Sequence, residues 1–377
     1  MRGSRRAAGT TDLLRTAHRL CGPATELGSW ASGRHAQIAA YITNSIQRSE
    51  PTPIAEIGVD IGGRPRTILL KLDGWSQWGS IKGRTALGLL GSVADRVGDQ
   101  TTVVESTSGN LGVALAGICG ELSIPFTAVV DARLPAAMGA RMREYGARII
   151  EVGRIDDGLH LQRRIARVRA ILRADPNALW TNQYENPANV TAHRWWTGPE
   201  LAGQLGPALP DAFVPVSTGG TFAGLCSYLA AEYPHVTCVA VDVRGSSIFG
   251  GPAGRRVLTG IGASKPSAFI GDLSPHVTVS EADAIATCLT LARDTHIYVG
   301  GSSGATLNGC LQFLSEHPEM KVALCLCPDL DANYRNTLYH DGWLMRTGLA
   351  NARSRPVVGG QRVFFEKKES IPARWWQ

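Results

Sequence analysis

Short runs of consecutive apolar residues alternate along the chain with longer stretches in which apolar residues return every three or four positions. The short runs, at 67–72, 102–105, 126–130, 148–152, 213–216, 237–243, 297–299 and 322–326, read as buried strands. Helical spacing covers 85–97, 113–122, 135–145, 159–173, 191–205, 225–232 and 281–294, the last opened by a capping box of Ser280 and Asp283. Strands alternating with helices predict parallel sheets covered on both faces. Ahead of this pattern, 12–20 and 31–47 carry helical spacing, and Ile38, Tyr41, Ile42 and Ile46 form one stripe that packs on the body or on a second subunit. Residues 1–11, rich in Arg, Gly and Ala, read as disordered.

Composition narrows the class. With 377 residues, 44% of them hydrophobic and 19% charged, the chain can bury two substantial cores and reads as a soluble α/β protein. No apolar run approaches the roughly 18 residues of a membrane span, and the arginine-bearing N-terminus has no apolar segment with a cleavage site, so the expected location is cytoplasmic. The net charge is +6, and the first 50 residues, with seven Arg against three Asp and Glu, supply +4 of it. That is a solvated basic extension; no nucleic-acid recognition motif accompanies it. The eight cysteines sit mostly in apolar runs, and Cys325 and Cys327 share one strand face, so reduced buried thiols are expected rather than a metal site.

The chemistry gathers in four loops of small residues, each between a strand end and a helix start. They are Gly79-Ser80-Ile81-Lys82-Gly83-Arg84, Ser106-Thr107-Ser108-Gly109-Asn110-Leu111-Gly112, Ser217-Thr218-Gly219-Gly220-Thr221 and Gly300-Gly301-Ser302-Ser303-Gly304-Ala305. Backbone N–H groups point outward at such places and bind anions. Lys82 stands where the helix dipole disfavours a cation, and a neutral amine is the form that condenses with an aldehyde cofactor. A competing reading takes Gly300-Gly301-Ser302-Ser303-Gly304 as a hydrolase nucleophile elbow followed by Asp329 and His340, but it leaves the lysine and Ser217–Thr221 loops unexplained.

In this order, and with Asn182-Gln183-Tyr184-Glu185-Asn186-Pro187 between them, the loops resemble the fold-type II pyridoxal-phosphate enzymes of the cysteine synthase and cystathionine beta-synthase family over about 50–344. Within it the chain looks most like the siderophore-pathway synthases that join O-phospho-L-serine to L-glutamate. The resemblance implies a tryptophan synthase beta-like α/β fold of two open, twisted, mostly parallel sheets. It divides the chain into a basic extension (1–48), a large cofactor-holding domain (49–82 and 189–344), a smaller domain closing over the substrate (83–188) and a tail (345–377), and it implies a homodimer.

The resemblance also implies roles. Lys82 matches the Schiff-base lysine; Ser80 either touches substrate or caps the helix. Ser217, Thr218, Gly219, Gly220 and Thr221 match the loop around the cofactor phosphate, Asn110 the residue at its phenolic oxygen, and Ser302 the serine opposite its ring nitrogen. Thr107, Ser108, Gly109 and Gln183 match the grip on the substrate carboxylate. Arg133, Arg244 and Arg255 are candidates for a phosphate leaving group or the carboxylates of a second substrate. The implied reaction is beta-replacement on an O-activated serine through an aminoacrylate, with an amine or, alternatively, sulfide as nucleophile. A non-catalytic relative acting as a sensor is the remaining alternative. Two features depart from the family: Gly83 stands where an aspartate is usual, and Trp75-Ser76-Gln77-Trp78 replaces an Asn-Pro type turn, with rings expected to narrow the cleft.

Overall fold

The computed structural model describes residues 33–153, 159–271 and 275–368. The sequence expectations for 1–11, 12–20 and Cys21 lie outside those residues. Helix α1 (Arg34–Arg48) buries Ile38, Ile42 and Ile46 as one stripe. It packs on the body of the same chain, where Arg34 Nη1 donates to the Leu122 carbonyl at 2.7 Å and the Tyr41 hydroxyl to Glu121 Oε2 at 2.8 Å. A hairpin follows, β1 (Ile54–Asp60) and β2 (Pro65–Leu72), turning through Gly62 and Gly63 at φ 64° and 72°, backbone that favours glycine. The chain then enters α2 (Lys82–Gly91).

Strand–helix units build a smaller sheet: β3 (Thr102–Ser106), α3 (Asn110–Glu121), β4 (Phe126–Asp131), α4 (Ala136–Glu144), β5 (Arg148–Val152), α5 (His160–Ala174) and β6 (Ala178–Trp180). Two short helices, α6 (Ala188–Ala192) and α7 (Gly198–Leu205), flank a π-helical turn at His193–Thr197 and return the chain to the larger sheet. There follow β7 (Ala212–Pro215), α8 (Gly220–Glu232), β8 (Cys238–Val243), β9 (His276–Val279), α9 (Glu281–Thr295), α10 (Gly301–Glu316) and β10 (Val322–Cys327). The chain closes through α11 (Asp341–Thr347), a small hairpin of β11 (Val357–Val358) and β12 (Gln361–Arg362), and the edge strand β13 (Phe365–Lys367).

The larger sheet runs β13-β1-β2-β10-β7-β8-β9, parallel from β2 to β9 with β1 antiparallel to both neighbours; the smaller runs β5-β4-β3-β6 and is parallel throughout. This is the mostly parallel α/β architecture expected. Its central strands read as unbroken apolar runs because both faces are covered, as in the buried ALCLC of β10. The segment 297–299 forms no strand; Val299 makes one isolated bridge with Leu330, and the Tyr339 hydroxyl donates to the Val299 carbonyl at 2.8 Å. The helix expected over 191–205 is broken by the π turn, where His193 Nδ1 lies 3.0 Å from Thr197 Oγ1.

Parallel pairing sets all the catalytically interesting loops at one edge, because every strand then presents its carboxyl end on the same side. Lys82 follows β2, Thr107 follows β3, Gln183 follows β6, Ser217 follows β7 and Asp329 follows β10. Among the described residues no helix is long and apolar enough to cross a membrane. The seven described cysteines are free, and no described group of three His, Cys, Asp or Glu could hold a metal ion.

Candidate active site

The lysine loop is held from below. Ser76 Oγ donates to the Ser80 carbonyl at 2.7 Å, and the Ile81 N–H donates to the Pro328 carbonyl at 2.8 Å, tying the start of α2 to the end of β10. Ser80 is fully buried, and its Oγ accepts from the Lys82 backbone N–H at 3.3 Å. That is the geometry of a helix cap, and the Ser80 side chain is not among those lining the cleft. Lys82 keeps part of its surface open to the cleft while protein closes round it. Burial pulls its amine down to about 8, against the opposing pull of the Asp329 carboxylate.

Asp329 is the group that sequence reasoning placed in the wrong chemistry. Its Oδ2 accepts from Asn110 Nδ2 at 2.5 Å and from the Tyr334 hydroxyl, while Oδ1 is buried without a partner. Burial pushes its acid up to about 6, held back by those two hydrogen bonds and by Lys82. Asn110, at the first turn of α3, thus faces both the lysine and this carboxylate. Ser302, in the first turn of α10, lines the same cleft and is 2% exposed. His340, the proposed base of a hydrolase triad, lines neither cavity at the lysine.

On one side of Lys82 a cavity of about 340 Å³ is lined by Ser217, Thr218, Gly219 and Thr221. Gly219 has φ 93°, and a Cβ on it would meet Ser267 Oγ at 2.2 Å; a Cβ on Gly220 would meet the Asn189 amide carbon at 2.3 Å. The loop therefore demands two glycines. Asn189 Nδ2 steadies Thr218 Oγ1 at 3.0 Å. The Thr221 hydroxyl lies 3.2 Å from His193 Nε2, which also meets Thr85 Oγ1 at 2.9 Å. Burial, with the Lys82 and Arg84 charges, drives the His193 pKa well below its usual range, so the ring is neutral. The first N–H groups of α8 have no partner within the helix, and among the described residues no carboxylate lines this cavity, which suits a phosphate dianion.

On the other side a cavity of about 830 Å³ is lined by Thr107, Ser108, Asn110, Arg133, Gln183 and Ser302. Both cavities share Lys82, Ser217, Gly260 and Pro328. Thr107 Oγ1 accepts from the Gly109 and Gly112 N–H groups at 3.1 and 3.0 Å, which shapes the loop; Gly109 turns at φ 150° and does not line the cavity. Gln183 Nε2 is engaged by the Ser106 carbonyl at 2.6 Å. Buried Glu105 accepts from Trp180, Thr181 and the N–H groups of Ser106 and Gln183, fastening the Gln183 segment to β3.

An aldehyde cofactor with a phosphate, pyridoxal 5'-phosphate, fits this donor set. It needs an amine with a reduced pKa between an anion cradle and neutral hydrogen-bonding groups, and the unpartnered Asp329 Oδ1 leaves an acceptor to be satisfied there. Of the remaining sequence candidates, Arg244 is exposed and lines no cavity described here, and Arg255 lies in a second chamber beyond Arg133. Trp78 packs away from the lysine cleft, so neither it nor Trp75 narrows that space. Tyr334, His193, Arg164 and the residue next to Arg255, Arg256, were not read as site residues, and Asp329 only within the competing hydrolase reading.

A family model described as "Pyridoxal-phosphate dependent enzyme" matches residues 46–329. An N-(2-amino-2-carboxyethyl)-L-glutamate synthase of Ralstonia nicotianae is 36% identical over 80% of this chain and 90% of its own length. A protein of that name from Cupriavidus metallidurans is 35% identical over 82% of this chain and 94% of its own. Among solved structures, the O-acetylserine dependent cystathionine beta-synthase of Helicobacter pylori superposes with a TM-score of 0.70 at 26% identity, over 76% of this chain and 95% of that one.

Proposed function

The chain belongs to the pyridoxal-phosphate dependent enzymes, among the beta-substituting synthases of cysteine synthase type, and from that premise we propose that it joins an amine to the beta carbon of an O-activated L-serine. O-phospho-L-serine is the favoured donor and L-glutamate the favoured amine, giving a precursor of 2,3-diaminopropionate for siderophore or antibiotic biosynthesis. The observation carrying this reading is a lysine amine of lowered pKa set between an anion cradle lined by no described carboxylate and a cleft that brings Thr107, Ser108, Asn110, Gln183 and Ser302 together. The names of the two relatives support the choice of amine.

When bound, the cofactor supplies an electron sink conjugated with the substrate's amino group, which makes loss of the alpha proton and of the beta leaving group feasible. In this reading Lys82 Nζ holds the cofactor's aldehyde carbon and, once released, takes the substrate's alpha proton. An amine with a pKa of about 8 is an effective base near neutrality. Ser217, Thr218, Gly219, Gly220 and Thr221 hold the phosphate, and Asn110 the phenolic oxygen. Ser302 offers the ring nitrogen a hydroxyl rather than a charge, which favours expulsion at the beta carbon over transamination. Thr107, Ser108 and Gln183, on a loop turned at Gly109, orient the donor's carboxylate, and Arg133 faces the departing oxyanion. Ser80 orients the lysine through the helix start. The segment 83–188 closes over the substrate against a body formed by 49–82 and 189–344, in a cytoplasmic homodimer.

The Helicobacter pylori structure favours a second reading, with O-acetylserine as donor and a sulfur nucleophile. Absorption spectra of the holoenzyme decide between them. A shift of the cofactor band with O-phospho-L-serine, reversed by L-glutamate with a product carrying both skeletons by mass spectrometry, supports the proposal. Reversal by sulfide but not by glutamate supports the second reading, and a band indifferent to both serine derivatives overturns both.

A further inference from the structure

The lysine cleft opens into a second, wider chamber of about 1770 Å³, lined by His160, Arg255, Trp343 and Arg346 and sharing Arg133, Arg256, Leu258, Thr259 and Tyr334 with the cleft. Five arginines line the two spaces, Arg133, Arg164, Arg255, Arg256 and Arg346, and among the described residues no Asp or Glu does. Their occupants are therefore anions. Arg256, which lines both spaces, is 8% exposed, and Arg164, which lines the lysine cleft alone, is 4% exposed. Arg256 Nη1 donates to the Ile261 carbonyl at 3.1 Å, while its Nε is buried without a hydrogen-bond partner. Arg164 Nη1 is likewise buried and unpartnered, and its Nε approaches Asp131 Oδ2 at 3.2 Å without hydrogen-bond geometry.

Buried guanidinium donors left unpaired are costly, so their retention at the wall of a cavity points to an acceptor that arrives from solution. The nearby carboxylates do not supply it. Asp131 is held by Arg133 through two bonds of 2.9 and 3.1 Å. Asp242 accepts from the Val243 N–H, and Glu281 from the Val257 and Leu258 N–H groups.

We propose that Arg164 and Arg256 grip a carboxylate of the acidic amine that serves as second substrate, with its other carboxylate directed towards Arg255 and Arg346 in the outer chamber. The assignment rests on the proposed reaction. A donor serine carries one carboxylate, and the Thr107–Ser108 loop accounts for it, whereas a dicarboxylic amine brings two charges that must be met farther from Lys82. Planar guanidinium forks match carboxylates bidentately.

Glutarate, which has both carboxylates and no amine, tests the site without turnover. In calorimetric titration of the holoenzyme it should bind and be displaced by L-glutamate. Arg256→Lys and Arg164→Lys, which keep the charge and lose the fork, should each weaken it at least tenfold, with the thermal midpoint and cofactor band as controls for folding. Failure of glutarate to bind, or binding indifferent to both substitutions, overturns the proposal. So does displacement by inorganic phosphate but not by L-glutamate, which would make this a leaving-group site. The two readings fail separately. Arginine-dependent glutarate binding without condensation sinks the reaction and keeps the dicarboxylate site. Condensation with an unchanged KM for L-glutamate in both variants sinks the site and keeps the reaction.

Discussion

Lys82 and Asp329 set each other's protonation. The amine sits at about 8 because burial outweighs the pull of the carboxylate, and the carboxylic acid sits at about 6 because burial outweighs Tyr334, Asn110 and the amine. Only the neutral amine condenses with an aldehyde, so in protein stripped of cofactor the rate of pyridoxal phosphate uptake should rise with pH through a midpoint near 8. Asp329→Asn removes the charge that favours the ammonium. Its midpoint should move down by roughly one pH unit, measured by stopped-flow absorbance. An unmoved midpoint would mean that Asp329 does not act on the lysine. Lys82, Asn110, Ser302 and the Ser217–Thr221 loop were legible in the sequence, because anion loops at strand ends use small residues in a fixed order. Asp329 was not. It reaches the site through the parallel pairing of β10 with β2, which no local pattern announces. Arg164 was hidden for another reason: in an arginine-rich helical run it is indistinguishable from a solvated charge until the fold buries it.

At the scale of elements, the departures around the lysine explain one another. The Trp78 ring fills the space above α2 and α3. A Cβ on Gly83 would come within 3.0 Å of its Cδ1, a Cβ on Gly117 within 2.2 Å of its Cζ3, and Tyr145 meets its ring edge-on at 5.9 Å. The glycine after the lysine is thus the partner of the tryptophan, and the helix start survives without the usual aspartate. Trp78→Ala should cost about 3–5 kcal/mol in urea denaturation, and Gly83→Asp about 1–3 kcal/mol by overpacking. The double variant should cost less than the sum by roughly 0.5–3 kcal/mol; strict additivity would sink the explanation. Most of the sheet was readable because its central strands are uniform apolar runs. The antiparallel strand β1 and the edge strand β13 were not, since pairing partners far apart in sequence and only partly buried leave a weak alternation. The apolar run at 297–299 failed for the converse reason: apolar character fixed its burial but gave it no strand to pair with beyond one bridge.

Across the whole molecule, the larger sheet, the lysine helix and the return helices are joined by a buried ionic cluster. Lys71, fully buried on β2, contacts Glu200 of α7 and donates to Gln204 Oε1 and the Thr52 carbonyl at 2.8 and 2.7 Å. Arg84 of α2 reaches both Glu200 oxygens at 2.9 Å and Asp73 Oδ1 at 3.2 Å. Two cations meet two carboxylates, so the cluster is neutral as a set and costly when broken. Burial alone would raise the Glu200 pKa, but Arg84 and Lys71 overcome it and hold the acid at about 2. A depressed carboxylate contributes stability that is fully present above its unfolded value, about 4.3, and is lost as pH falls towards 2. Asp73 works in the opposite sense, since burial raises its pKa above the usual range. Glu200→Gln leaves two buried cations against one acid, and at pH 7 it should cost about 3–5 kcal/mol in chemical denaturation. The gap from the unaltered protein should narrow as pH falls from 5 towards 3, because the unfolded chain then takes up a proton at Glu200 that the native cluster still excludes. A gap constant over that range would show that Glu200 holds these elements by shape rather than by charge.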